Sequence, residues 1–177
     1  MRRIMTVGRI SGSILQTQYG RAETLKLVAL PDAVGPARAY CAATLRGWGY
    51  TDPDFLFNAG LVVSELVTNA LEATTLHDPP EAMGHLLEEG ALVRLTLTVL
   101  ADLLFIEVWD RVLRPPRPRC DVPDDATRGR GLRIVADLAC QWSYRYSEGP
   151  CGPYGKTVFA VLPVPIRQIE ASKYLDL

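Results

Sequence analysis

Residues 92–110, LVRLTLTVLADLLFIEVWD, constrain the fold more than any other stretch. Val93, Leu95, Leu97 and Val99 alternate with Arg94, Thr96 and Thr98, and Leu104, Ile106 and Val108 repeat the pattern further on. Successive side chains of a strand point to opposite faces, so this spacing predicts two strands, 92–99 and 103–110, each with one apolar face. Only Leu100, Ala101 and Asp102 separate them, which is too short for a crossover and sets an antiparallel pair. An apolar sheet face must be covered by a second layer. Asp110 ends the second strand on the side of its apolar set, so a carboxylate is delivered toward the covered face.

The rest of the chain supplies that layer. ETLKLVAL (23–30) reads as a strand stopped by Pro31. Asp32 is a candidate cap for a helix to about residue 48, with Val34, Ala37, Tyr40, Cys41 and Leu45 as its apolar stripe. Asp52–Pro53, a cap followed by proline at the first helical position, opens a second helix to about residue 74. GRGLRIVADLAC (129–140) has helical spacing at Leu132, Ile134, Val135 and Leu138, and WSYRYS (142–147) and KTVFAVLP (156–163) read as closing strands. The order β-α-α-β-β-loop-α-β-β, with short links between late strands, predicts an α+β two-layer sandwich: a mixed, mainly antiparallel sheet with helices on one face. Residues 1–22 form an N-terminal arm, 23–164 the domain and 165–177 a tail. Residues 77–91 are a long connection. RVLRPPRPRCDVPDDATR (111–128) carries too many prolines for regular structure, and loops of that length are commonly functional or disordered.

Charge and composition exclude several functions. A formal net charge of −1 over 177 residues gives no electrostatic case for nucleic acid or an anionic membrane. No apolar run is long enough to span a bilayer, and the N-terminal arginines are not followed by a signal-peptide core, so a cytoplasmic location is expected. Cys41, Cys120, Cys140 and Cys151 are widely spaced and include no C-x-x-C pair, which argues against both a zinc cluster and a disulfide framework.

Within the second predicted helix lies SELVTNA (64–70). Glu65 and Asn69 are four apart and share a face. By themselves they read as a solvated stripe, because charged side chains are rarely buried without a partner. Asp110 by itself reads as a turn residue, and Gly129-Arg130-Gly131 as a tight turn before a helix. There is no G-x-x-x-x-G-K-[ST] phosphate loop. In order and context, however, ELVTNA (65–70), VWD (108–110), GRGL (129–132) and GKTVF (155–159) resemble the motifs of the GHKL superfamily of ATP-binding domains, the Bergerat fold. The resemblance spans roughly residues 23–163 and is strongest to the anti-sigma-factor/serine-kinase branch.

The resemblance implies ATP and Mg²⁺ as cofactors and a role for each matching residue. Asn69 would offer a hard oxygen to Mg²⁺, and Glu65 would accept a proton from an attacking hydroxyl or orient a water. Asp110, acceptor-only when ionised, would take the exocyclic amine of adenine, bolstered by Thr157. Gly129, Gly131 and Leu132 would form the phosphate-binding start of a helix, with Arg128 and Arg130 as cationic contacts. Residues 111–128 would be the ATP lid. The implied function is an anti-sigma factor with serine/threonine kinase activity, with a sigma factor and a STAS-type anti-anti-sigma protein as partners. Val112 stands where the family usually has a small residue. It favours an alternative, a degenerate module that sequesters a regulatory protein with little or no ATP turnover. The other sheet face, with Thr96, Thr98, Phe105 and Trp109, is either a semi-exposed surface or a homodimer or partner surface.

Overall fold

A computed structural model describes residues 20–75, 92–117 and 130–165. Most of the N-terminal arm, the 77–91 connection, the later part of the 111–128 loop with Cys120, and the tail after residue 165 lie outside the described residues. The strands are β1 (Arg21–Val28), β2 (Leu92–Leu100), β3 (Leu103–Asp110), β4 (Gln141–Gly149) and β5 (Gly152–Pro163), and the helices α1 (Val34–Gly47), α2 (Pro53–Thr75) and α3 (Gly131–Leu138). The sheet order is β1-β2-β3-β5-β4. Every pairing among the described strands is antiparallel, so the expected mixed sheet has no parallel pair here.

The hairpin forms as its alternation requires, with Leu95 opposite Val108 and Leu97 opposite Ile106. Val93, Leu95, Leu97, Leu104, Ile106 and Val108 are fully buried. β5 adds Val158, Ala160 and Leu162 to the same face. The helices cover it: Ala37, Cys41 and Leu45 from α1, Val62, Val63, Leu66 and Val67 from α2, and Leu132 and Val135 from α3 join one core. A buried aliphatic side chain of this kind contributes about 1.5–3 kcal/mol.

The helix starts differ in how well local chemistry foretells them. Asp52 Oδ1 accepts a hydrogen bond from the Phe55 N–H at 2.7 Å, so the cap before Pro53 is present. Asp32 is not a helix cap. It lies in a 3₁₀ turn, Pro31–Ala33, and α1 begins at Val34 without a side-chain capping bond.

The outer sheet face is a polar and aromatic ladder. Thr24 and Thr96 share a hydroxyl contact at 3.1 Å. The Arg94 guanidinium lies 5.1 Å from the Trp109 ring centroid. Arg145 pairs with Glu107 at 2.5 Å and lies 5.5 Å from the Phe159 ring centroid.

Gly155 allows β5 to close over the end of β3. A Cβ there would stand 2.6 Å from the Asp110 carbonyl oxygen and 2.7 Å from two carbons of the Trp109 ring. Backbone cannot yield as a flexible side chain can, so Gly155→Ala is expected to cost about 1–3 kcal/mol, as overpacking does. The drop in Tm should be several degrees. Gly35→Ala in α1, where nothing lies within 4 Å of the added carbon, should be neutral or slightly stabilising in the same melting experiment.

Candidate functional site

Two groups of polar side chains lie on the helix-covered side of the sheet. The first is carried by α2. Val62, Val63, Leu66, Val67 and Ala70 turn inward, leaving Glu65 and Asn69 half-buried on the flank. Neither is a freely solvated residue. The Glu65 carboxylate lies against the first residue of α3: a Cβ on Gly131 would stand 2.5 Å from Glu65 Oε2. Gly131 thus provides room for Glu65, which only the packing of α2 against α3 reveals. Burial, reinforced by the charge of Glu72, pushes the Glu65 carboxyl above its ordinary range. A raised carboxyl is better suited to hold a proton near neutrality.

The second group closes the end of the sheet. Asp110 is fully buried, and Lys156 is nearly so. Lys156 Nζ donates to Asp110 Oδ1 at 2.6 Å and to the Val112 carbonyl oxygen at 2.9 Å. The Val112 N–H donates to the same Oδ1 at 2.9 Å, an Asx-type turn. One carboxylate oxygen therefore holds both donors. The other, Oδ2, is buried and accepts no hydrogen bond from the described residues. Burial pushes the Asp110 carboxyl up, and the bonds from Lys156 and Val112 offset that rise in part.

The expected residues are brought together unequally. Glu65 and Gly131 meet across the α2–α3 contact, Leu132 is a core residue beside Val135, and Arg130 precedes the first turn of α3. Arg128 and Gly129 lie outside the described residues. Thr157 does not support Asp110. It is opposite Trp109, one residue out of phase, and strand alternation turns it to the other face. The residue opposite Asp110 is Lys156. Lys156 was missed although its signal was present, since Lys156, Val158, Ala160 and Leu162 form one alternating set. Val112 takes an ordinary negative φ and is buried, its backbone forming part of the polar ring.

Two outcomes follow from this geometry. Because both raised carboxyls bind protons more tightly in the folded chain, their stabilising contribution is fully present below the ordinary values of 3.8 and 4.5. It is lost as pH rises through the folded values. Tm followed upward from about pH 4 should show this fall. Asp110→Asn should flatten the slope, even though the level also drops because Lys156 loses its partner. Gly131→Ala meets only the end of a flexible side chain, so Tm should barely move while the Glu65 carboxylate is displaced. A shift of the Glu65 side-chain carboxyl resonance in NMR spectra would register it.

The histidine kinase-like ATPase domain family matches residues 27–160 of the chain. No curated protein is significantly similar in sequence. Among solved structures, a chain of the SiaB–SiaC complex from Pseudomonas aeruginosa has the same fold, with a TM-score of 0.56 over 79% of this chain and 89% of that one. At 13% identity the likeness is one of fold. The family match spans the covered sheet face and the three helices among the described residues, from within β1 to within β5, and the chain belongs to the histidine kinase-like ATPase family.

Proposed function

We propose that this protein is an ATP-binding regulator that acts on a partner protein, with serine/threonine kinase activity toward a STAS-type anti-anti-sigma protein and a sigma factor as its second partner. The observation that carries the nucleotide reading is Asp110 Oδ2, a buried acceptor with no donor among the described residues. A buried carboxylate oxygen without a donor is costly, and the 6-amino group of adenine is a donor of the right kind. The residues present therefore fit the base. Asn69 would hold Mg²⁺ through its side-chain oxygen, and the ion would supply charge neutralisation for the phosphates. The start of α3 at Arg130 and Gly131 would face the phosphates, with Arg128 and Gly129 leading into it.

Glu65 would be the base. Its carboxylate, half-buried and raised by burial and Glu72, would receive the proton of a substrate hydroxyl as that oxygen is phosphorylated. The partner-protein reading draws support from the SiaB–SiaC structure, which is a complex of two proteins.

A second reading is favoured by a different feature of the same site. Asp110 Oδ2 is closed off from solvent, and Lys156 is buried against the other oxygen of the same carboxylate. A domain in which that closure persists would sequester a regulatory protein with weak nucleotide affinity.

Titration with a fluorescent ATP analogue, with and without Mg²⁺, separates the two. Saturable binding is expected for the wild type, weakened about tenfold or more by Asp110→Asn. Asn69→Ala should lower affinity only in the presence of Mg²⁺. Phosphate transfer to a purified STAS-domain protein should fall by about 10²–10⁴ in Glu65→Gln while nucleotide affinity is kept. No saturable binding by the wild type at millimolar nucleotide would leave the sequestering module as the function.

A further inference from the structure

Lys156 occupies a position at which the motif resemblance offers no role, and its surroundings give it one. It is among the largest fully buried side chains of the protein. A buried lysine needs compensation for its lost hydration, and two acceptors supply it here, Asp110 Oδ1 and the Val112 carbonyl. The Val112 N–H completes the ring by donating to the same Oδ1. Both donors use one oxygen, so the carboxylate is held in a single orientation with Oδ2 turned away from them. Gly155 makes this possible by letting β5 approach β3 closely enough for residues 110 and 156 to stand opposite each other.

We infer that Lys156 is the positioning residue that determines base specificity: by occupying Asp110 Oδ1 and neutralising its charge, it keeps Asp110 an ionised acceptor whose free Oδ2 selects a 6-amino over a 6-oxo purine. The inference rests on the nucleotide reading of the site. Its chemistry is that of a carboxyl group with two states. Ionised, it only accepts, so it pairs with the amine of adenine and repels a 6-oxo group. Protonated, it also donates, and a 6-oxo group becomes acceptable. Burial favours the protonated state, and Lys156 opposes it. The helices on this face also carry Glu65 and Glu72 on α2 and Arg133 and Asp137 on α3, and Tyr146 on β4 stands opposite Lys156 within the sheet; Lys156 is the charge that weighs on Asp110.

The test compares ATP with ITP, which differ in carrying an amino or an oxo group at position 6. Affinities for both are measured from about pH 5 to pH 9 on the full chain. The wild type should prefer ATP by about tenfold or more at neutral pH, losing the preference only toward acid. In Lys156→Met the midpoint of that loss should move to higher pH, so that ITP binds nearly as well as ATP near neutrality and discrimination returns in alkali. Lys156→Gln keeps a donor without the charge and should move the midpoint in the same direction, which covers the case of a Met variant that does not fold. A second measurement needs no nucleotide: the NMR titration of the Asp110 side-chain carboxyl should have a higher midpoint in either variant than in the wild type. An unchanged ATP-to-ITP profile, or an unchanged Asp110 midpoint, overturns the role of Lys156 alone. A wild type that binds neither nucleotide overturns the nucleotide reading itself, and this inference with it.

Discussion

The closure of β5 over β3 at the Asp110–Lys156 pair is the interaction on which the rest of the site depends. Two opposite charges are held at 2.6 Å in a place without solvent. Such a pair is weak evidence for stability, because desolvation of both ions cancels much of their attraction. Its effect is on geometry. It fixes which carboxylate oxygen is engaged, pins the backbone at Val112 where the chain leaves the sheet, and sets the register in which Gly155 passes over the Asp110 carbonyl. Relaxing any of these contacts would leave a buried charge or a buried acceptor uncompensated.

The α2–α3 contact works on a similar principle at lower cost. Glu65 is half-buried, and its carboxylate fits against α3 only because residue 131 has no Cβ. The same glycine that a motif reading would reserve for phosphate also makes room for a neighbouring acid. The two ideas differ in what a substitution would move: the side chain of Glu65 in one, the bound anion in the other. Both carboxyls of the site are shifted upward by burial, and they are held by different means, Asp110 by a buried cation and Glu65 by a glycine at a helix start.

Much of the fold was legible because it depends on periodicity. Alternation in 92–110 gave the hairpin and its buried face, and Asp52–Pro53 gave the start of α2. Asp32 has the residue type of a cap but does not cap α1, because capping depends on the backbone path into the helix, which a 3₁₀ turn alters. The motif points to Thr157 as the support of Asp110, whereas strand alternation, already visible in KTVFAVLP, sends Thr157 to the opposite face and brings Lys156 inward. The difference is one of register, and a shift of one residue along a strand exchanges every side chain between faces.

The sequence by itself determined the elements, their apolar faces, the placement of Asp110 on the core side of β3 and of Glu65 and Asn69 on one face of α2. These follow from local rules of period 2 and 3.6 that need no knowledge of distant residues. Only the tertiary structure decided that β5 inserts beside β3, that Lys156 rather than Thr157 meets Asp110, and that Glu65 rests on Gly131. Those contacts join positions 46 and 66 residues apart. They depend on how closely two backbones approach, which no local pattern encodes.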